Sequence, residues 1–347
     1  MLVYWLLFAY FALGALLRRG GVDRGAGLFF FSLGGLFLLA AIGLRYQVGG
    51  DWGAYERMFT MAAVRDLGQM LPLGDPAYQL LNWTVRSMEW PLWVVNLICA
   101  AIFTYGLVRF AKVQDSPWLA LLIAVPYLVI VVSMGYTRQA VAIGIIMMGL
   151  AAVQRGASIA RFALYVAGAA LFHKSAVVAM LLVALAGRRN KLINILVVLC
   201  SAVLLYDSLL QDSITKLMEN YVQAKYSSQG AAIRIFMSIV PAALFFLRRS
   251  RFRFSEQSDL LWRNFSIAAF LLAAALVIVP SSTAVDRIAL YILPLQIAVL
   301  SQVPRVFAAG TFSRLLVVLY AFAIEFVWLN FADNAGYWVP YSSYLWM

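Results

Sequence analysis

Apolar residues fall in blocks along the whole chain, parted by short polar or glycine-bearing segments. Taking about 15–22 apolar residues for each crossing of a bilayer, twelve blocks qualify. They lie near 2–17, 28–44, 90–110, 118–133, 139–153, 161–173, 175–187, 192–206, 233–247, 264–279, 287–303 and 314–330. A backbone in lipid must satisfy its own hydrogen bonds, which makes each block a helix. The pattern predicts an all-α polytopic membrane protein with about twelve transmembrane helices, forming a single membrane-embedded domain over 1–347. The blocks on either side of His173 are short and almost without a loop between them, so tilted, broken or partly inserted helices are expected there.

Composition sharpens this reading. Hydrophobic residues make up 64% of the 347, charged residues 12%, and the mean hydropathy is +0.86. A soluble domain carries about 25% charged residues, and the blocks leave no room for a large one here. Cys99 and Cys200 both lie inside apolar blocks, which builds neither a disulfide framework nor a metal motif. The first block has no basic residue before it and Arg18 and Arg19 after it, the reverse of a signal peptide. It reads as a retained span with its N-terminus outside.

That orientation can be tested against charge, because cytoplasmic loops collect lysine and arginine. With the N-terminus outside, 17 of the 27 basic residues and four of the 15 acidic ones fall on the inner face, leaving +13 inside and −1 outside. Sidedness therefore accounts for the net charge of +12, and no nucleic-acid partner is needed. Two longer loops, 45–89 and 207–232, are predicted outside. Arg45, Asp51, Arg138, His173, Asp286 and Arg287 all fall on that same face, each at a span end or beside one.

These residues carry the candidate chemistry. In "LRYQVGGDWGAY", Gly49 and Gly50 allow an unusual turn before Asp51, and a helix starting there would set Tyr55 on the same face. The plain alternative is an N-cap aspartate beside a snorkelling arginine. Arg138 and Gln139 open the fifth block. A cation at a helix N-terminus opposes the macrodipole, which makes sense if guanidinium and free N–H groups share an anion; interfacial snorkelling is the other reading. His173, the sole histidine, stands with Lys174 and Ser175 between two blocks. It cannot make a zinc site alone, but imidazole is the one side chain suited to proton transfer near neutral pH. Asp286 and Arg287 either pair with each other or Arg287 joins Arg45 and Arg138 in a cationic cluster. The stretch "DNAGYWVPYSSYLWM" reads as an interfacial aromatic belt, with a sugar platform as the alternative.

There is no Walker loop, zinc-ligand pair, G-x-S-x-G elbow or acid-rich divalent-metal site. Neither a metal nor another cofactor is predicted.

Taken in order, "RYQVGGDWGAY" (45–55), "DPAYQLLNW" (75–83), "YTRQAVA" (136–142), "FHKSAVV" (172–178) and "DRIALYI" (286–292) resemble the EpsG family of bacterial membrane proteins, relatives of the Wzy-type polysaccharide polymerases. One departure is Asp75, where the family usually has glutamate, which weakens a role for that residue. The resemblance implies a GT-C-like glycosyltransferase architecture in the bacterial inner membrane. It also implies glycan repeat units on undecaprenyl pyrophosphate as donor and acceptor, presented on the outer face. A flippase and a chain-length regulator of the same pathway are the implied protein partners.

On this view Arg45, Arg138 and Arg287 would stabilise the departing pyrophosphate, with Tyr55, Gln139 and Lys174 as further substrate contacts. Asp51 is the first choice of general base, His173 the second and Asp286 the third, with His173 alternatively a phosphate ligand. A glycan-lipid transporter and an outer-face acyltransferase stay open. Special residues crowded on one face, without repeated halves, favour the polymerase over a transporter with a midplane site.

Overall fold

In the computed structural model, the described residues are 1–17, 25–184, 196, 230–278, 282–307 and 310–347. They form helices joined by short turns. In chain order these are α1 (Leu2–Leu17), α2 (Ala26–Gly43), α3 (Trp52–Met61), α4 (Leu67–Met70), α5 (Pro76–Ser87), α6 (Leu92–Ala111), α7 (Pro117–Ala124), α8 (Thr137–Gln154), α9 (Ile159–Phe172) and α10 (Val178–Ala184). After the undescribed stretch come α11 (Ala231–Leu247), α12 (Glu256–Ile278), α13 (Ser282–Ala289), α14 (Pro294–Leu300), α15 (Val303–Val306) and α16 (Gly310–Phe331). Among the described residues the only extended pairing outside helices is a single bridge between Arg45 and Ser343.

The described residues bear out helices at the apolar blocks without establishing twelve crossings. Among the described residues five helices are long and apolar enough to cross a membrane: α2, α6, α8, α12 and α16. Five shorter apolar helical segments accompany them: Leu2–Leu17, Pro117–Ser133, Ile159–Phe172, Lys174–Ala184 and Ala231–Leu247. The block at 287–303 is broken into the end of α13, a 3₁₀ turn at Leu290–Ile292, α14 and the start of α15. Hydropathy registers how apolar a segment is, and a short helix walled in by protein is as apolar as one that spans lipid. The block at 192–206, Leu196 apart, and the 207–229 part of the second predicted loop lie outside the described residues.

Segment 117–133 shows this most clearly. α7 runs into a π-helical stretch, Val125–Ser133, and every residue from Pro117 to Ser133 is buried. Pro126 contributes no N–H to the ladder, and a missing donor is one way a helix widens its turn. Around this pillar pack α1, α6, α14 and α16. α8 packs on both α6 and α9, and at its crossing with α6 two glycines meet. A Cβ on Gly106 would stand 2.0 Å from the Gly144 carbonyl oxygen. Small residues that let two backbones touch are the usual device for joining helices in lipid.

The outer surface is apolar. Leu13, Leu36, Leu164, Leu271 and Phe312 are each more than half exposed, on five different helices. Water tolerates no such belt on a monomer, and lipid covers it at no cost, so this is a membrane protein.

The two ends of the bundle differ. At one end Arg305 pairs with Asp115, Arg249 with Asp259, and Gln114 with Gln154. The other end collects the loop after α2, the amphipathic helices α3 and α5, the start of α8, the α9–α10 junction, α13 and the segment 337–344.

Candidate functional site

The loop after α2 is held by chain made nearly 300 residues later. Tyr46 N donates to Ser342 O, Tyr344 N to Leu44 O, and Gly49 N to Tyr337 O at 2.8 Å. Trp338, read from sequence as part of an interfacial belt, is instead 2% exposed and donates its Nε1 to Ile130 O. The indole thus meets a main-chain carbonyl inside the π-helical stretch and pins segment 337–344 to the buried pillar. Tyr337 and Trp346 remain at the surface.

Gly49 has φ +109°, and a Cβ there would stand 2.2 Å from Met134 O. Glycine alone fits this turn. Gly50 is not so constrained: its nearest neighbours, on Trp338, would be 3.8 Å away.

Arg45 is not brought to the other candidate arginines. It is 1% exposed and donates Nε to Val48 O, Nη1 to Ile42 O and Nη2 to Thr137 Oγ1. With every guanidinium nitrogen committed to the protein, it ties the loop to α2 and α8. The reading as a pyrophosphate ligand is corrected for that reason. The snorkelling alternative fails too, since the head does not reach water.

Asp51 occupies the N-cap position of α3, and Tyr55 N donates to Asp51 O. Its side chain makes no cap hydrogen bond, so the carboxylate is not spent on the helix. Burial pushes its carboxyl above the usual range, against the opposing pull of Arg138 and Arg287. Tyr55 is buried edge-on to Tyr78, centroids 5.5 Å apart, and its phenol interacts with the Arg138 guanidinium.

The centre of the cluster is Asp75, which the sequence reading discounted. It sits at the N-cap of α5 before Pro76 and is 5% exposed, and its side chain likewise makes no cap hydrogen bond. Arg138 Nη1 donates to its Oδ2 at 2.7 Å, and Lys174 N to its Oδ1 at 3.3 Å. His173 Nδ1 lies 3.6 Å from Oδ2. Burial favours the neutral acid, but the His173 contact and the Arg138 charge prevail and hold this carboxyl below the usual range. Lys174 contributes through its backbone, while its side chain is exposed.

Asp286 and Arg287 part company. Asp286 is 7% exposed and pairs with Arg234 of α11, which also lies over the Tyr127 ring. This corrects both the pairing with Arg287 and the reading of Asp286 as an available base: its carboxylate is engaged in a buried ion pair. Arg287 is exposed, and Gln139 Nε2 donates to its backbone carbonyl at 2.7 Å. Gln139, 5% exposed, therefore fastens α13 to the start of α8.

From distant segments the fold thus gathers Asp51, Asp75, Arg138, His173 and Arg287, leaving Arg45 and Asp286 to structural pairs. The set holds two carboxylates of opposite tuning, one imidazole and two guanidiniums, enough for proton transfer beside anion stabilisation. Among the described residues no group of three or more His, Cys, Asp or Glu is placed to hold a metal ion. Arg234 was invisible to the sequence reading, being one more basic residue beside a long apolar block.

The EpsG family model matches the chain over residues 28–343, which takes in every residue of the cluster. No curated protein and no solved structure matches it.

Proposed function

The chain belongs to the EpsG family, and from that premise we propose that it is a polysaccharide polymerase acting on the outer face of the bacterial inner membrane. The donor is a glycan chain on undecaprenyl pyrophosphate, and the acceptor is a hydroxyl of a new lipid-linked repeat unit. The family supports an exopolysaccharide-related role. The observation that carries the reaction is the convergence of Arg138, Asp51 and His173 around Asp75, at one end of an apolar bundle.

The chemistry follows from the tuning of each group. The acceptor oxygen forms a bond to the anomeric carbon as its proton passes to Asp51. The bond from that carbon to the pyrophosphate oxygen breaks, and the leaving group departs with the electron pair. An uncommitted carboxylate with a raised proton affinity is a better base than an ordinary one. Arg138 and Arg287 stabilise the charge that grows on the pyrophosphate, which preorganised cations do without reorganising. Arg138 suits this, since its side chain stays 28% exposed while Nη1 is held by Asp75.

In this reading the chain works as one membrane-embedded unit with a GT-C-like bundle. It is supplied by a flippase and limited by a chain-length regulator. Purified protein in lipid, given lipid-linked repeat units alone, should lengthen the glycan and release lipid pyrophosphate. Movement of the glycan lipid across the bilayer without lengthening would make it a transporter. Modification that needs an acyl donor would make it an acyltransferase.

A further inference from the structure

Asp75 faces His173 through one particular ring nitrogen, and this fixes more than the position of the ring. Nδ1 is buried, 3.6 Å from Asp75 Oδ2, and meets no hydrogen-bond partner within bonding distance among the described residues. Nothing else described competes for it. The carboxylate is itself anchored by Arg138 Nη1 on Oδ2 and by the Lys174 amide on Oδ1, so it cannot swing away. Its charge is secured by the same contacts, which hold its carboxyl below the usual range. An ionised carboxylate only accepts hydrogen bonds. A nitrogen facing it is stabilised with a proton and disfavoured with a lone pair.

The backbone adds to this. His173 closes α9 and opens the 3₁₀ turn Lys174–Val177 with φ −159° and ψ 113°. That extended residue between two helical pieces turns the ring back towards the N-cap of α5. The side chain is 18% exposed, and Nε2 meets no hydrogen-bond partner among the described residues.

We propose that Asp75 is a positioning residue that keeps the proton of neutral His173 on Nδ1, leaving Nε2 as a hydrogen-bond acceptor on the substrate side. This deepens the polymerase reading and rests on it for the substrate. An acceptor nitrogen repels phosphate oxygens and accepts a hydrogen bond from a hydroxyl, so the ligand of His173 is a sugar hydroxyl of the incoming repeat unit, whose reacting proton still goes to Asp51. The pyrophosphate is left to the arginines. A 3.6 Å contact closing to a formed bond on substrate arrival is ordinary behaviour for such pairs. The logic is that of carboxylate–histidine pairs generally, in which the partner of one nitrogen sets the tautomer and so the task of the other.

The test uses the fact that His173 is the only histidine in the chain. Protein labelled with ¹⁵N-histidine and reconstituted in lipid gives one imidazole spectrum, read at a pH where the ring is neutral. The expected result is a protonated Nδ1 and an acceptor-type Nε2, with no substrate present. Asp75→Asn should shift the population towards the Nε2–H form and lower kcat about 10–100-fold, the scale for loss of a residue that orients another. Asp75→Glu, which keeps a carboxylate, should return the Nδ1–H form and much of the rate. A neutral wild-type ring protonated on Nε2 would overturn the proposal. So would an Asp75→Asn protein with the wild-type tautomer. Because the spectrum needs no lipid-linked glycan, a protein with the expected tautomer and no polymer product would count against the polymerase reading alone.

Discussion

Arg45 and Thr137 stand 92 residues apart and are joined by a buried hydrogen bond of 2.7 Å from Nη2 to Oγ1. That contact locks the entry of the first loop to the first turn of α8, one residue before Arg138. Arg45→Met should therefore act on stability before chemistry. It strands Val48 O, Ile42 O and Thr137 Oγ1, and should cost at least about 1.5–3 kcal/mol, the worth of one hydrogen bond to a charged group. Thermal unfolding in detergent measures this. A variant with unchanged unfolding but weakened donor binding would return Arg45 to the site.

Gly49 and Gly50 should respond differently to alanine. Gly49→Ala meets Met134 O and forces a positive φ, a conformation costing roughly 1–2 kcal/mol before any clash. Gly50→Ala has room beside Trp338. Membrane protein yield should fall for the first and hold for the second; equal yields would mean that the turn is not built as described.

Arg138→Ala should lower turnover about 10²–10³-fold, the usual loss of one preorganised donor. Arg138→Lys should be impaired as well, since a point charge cannot both hold Asp75 and direct a second N–H at the substrate. Full glycan production by a well-expressed Arg138→Ala protein would reduce this residue to an anchor for α5.

The two aspartates should show opposite pH behaviour. Asp51 has a raised folded-state pKa, so its ionisation opposes folding: stability is lost as pH rises from the unfolded value through the folded one. Asp51→Asn should then unfold at a higher temperature than wild type at neutral pH, while making almost no polymer. Asp75 has a lowered one, so its contribution is present above the unfolded value and lost as pH falls through the folded one. Asp75→Asn should be less stable at neutral pH, with the difference closing on acidification. Unfolding temperatures across pH decide both, and the same sign for the two would refute the assignment.

Sidedness has its own measurement. Val64 is 81% exposed in the loop carrying α3 and α4, and Ser250 lies at the opposite, arginine-rich end. An impermeant thiol reagent on intact cells should reach Val64→Cys and not Ser250→Cys. The reverse would put the cluster in the cytoplasm and overturn the proposed outer-face reaction.

Helices could be read from hydropathy, because burial in lipid or protein demands apolar side chains. Breaks within blocks could not be read so. The π-helical turn at Val125–Ser133 and the 3₁₀ turns at Lys174–Val177 and Leu290–Ile292 carry the same apolar residues as regular helix, apart from Pro126, Ser133, Lys174 and Ser175. Pairing was equally hidden. Nothing local marks Asp75 as the partner of Arg138, 63 residues on, or Asp286 as that of Arg234. Asp75 did carry one usable signal: an aspartate before Pro76 fits a helix N-cap, and such a cap can turn its carboxylate elsewhere. Arg45 was misjudged because an arginine at a span end usually reaches for water, and here three oxygen acceptors kept it inside.

The clasp of Tyr337–Tyr344 over Leu44–Gly49 also sets an order of assembly. At translation rates of about 5–20 residues per second, the early loop waits roughly 15–60 s for the chain that completes it. Until then the aspartate-bearing turn lacks its partners, and the newly inserted protein should be inert. If the chain is the proposed polymerase, such a delay would keep a half-made bundle from committing lipid-linked sugar to a reaction it cannot finish.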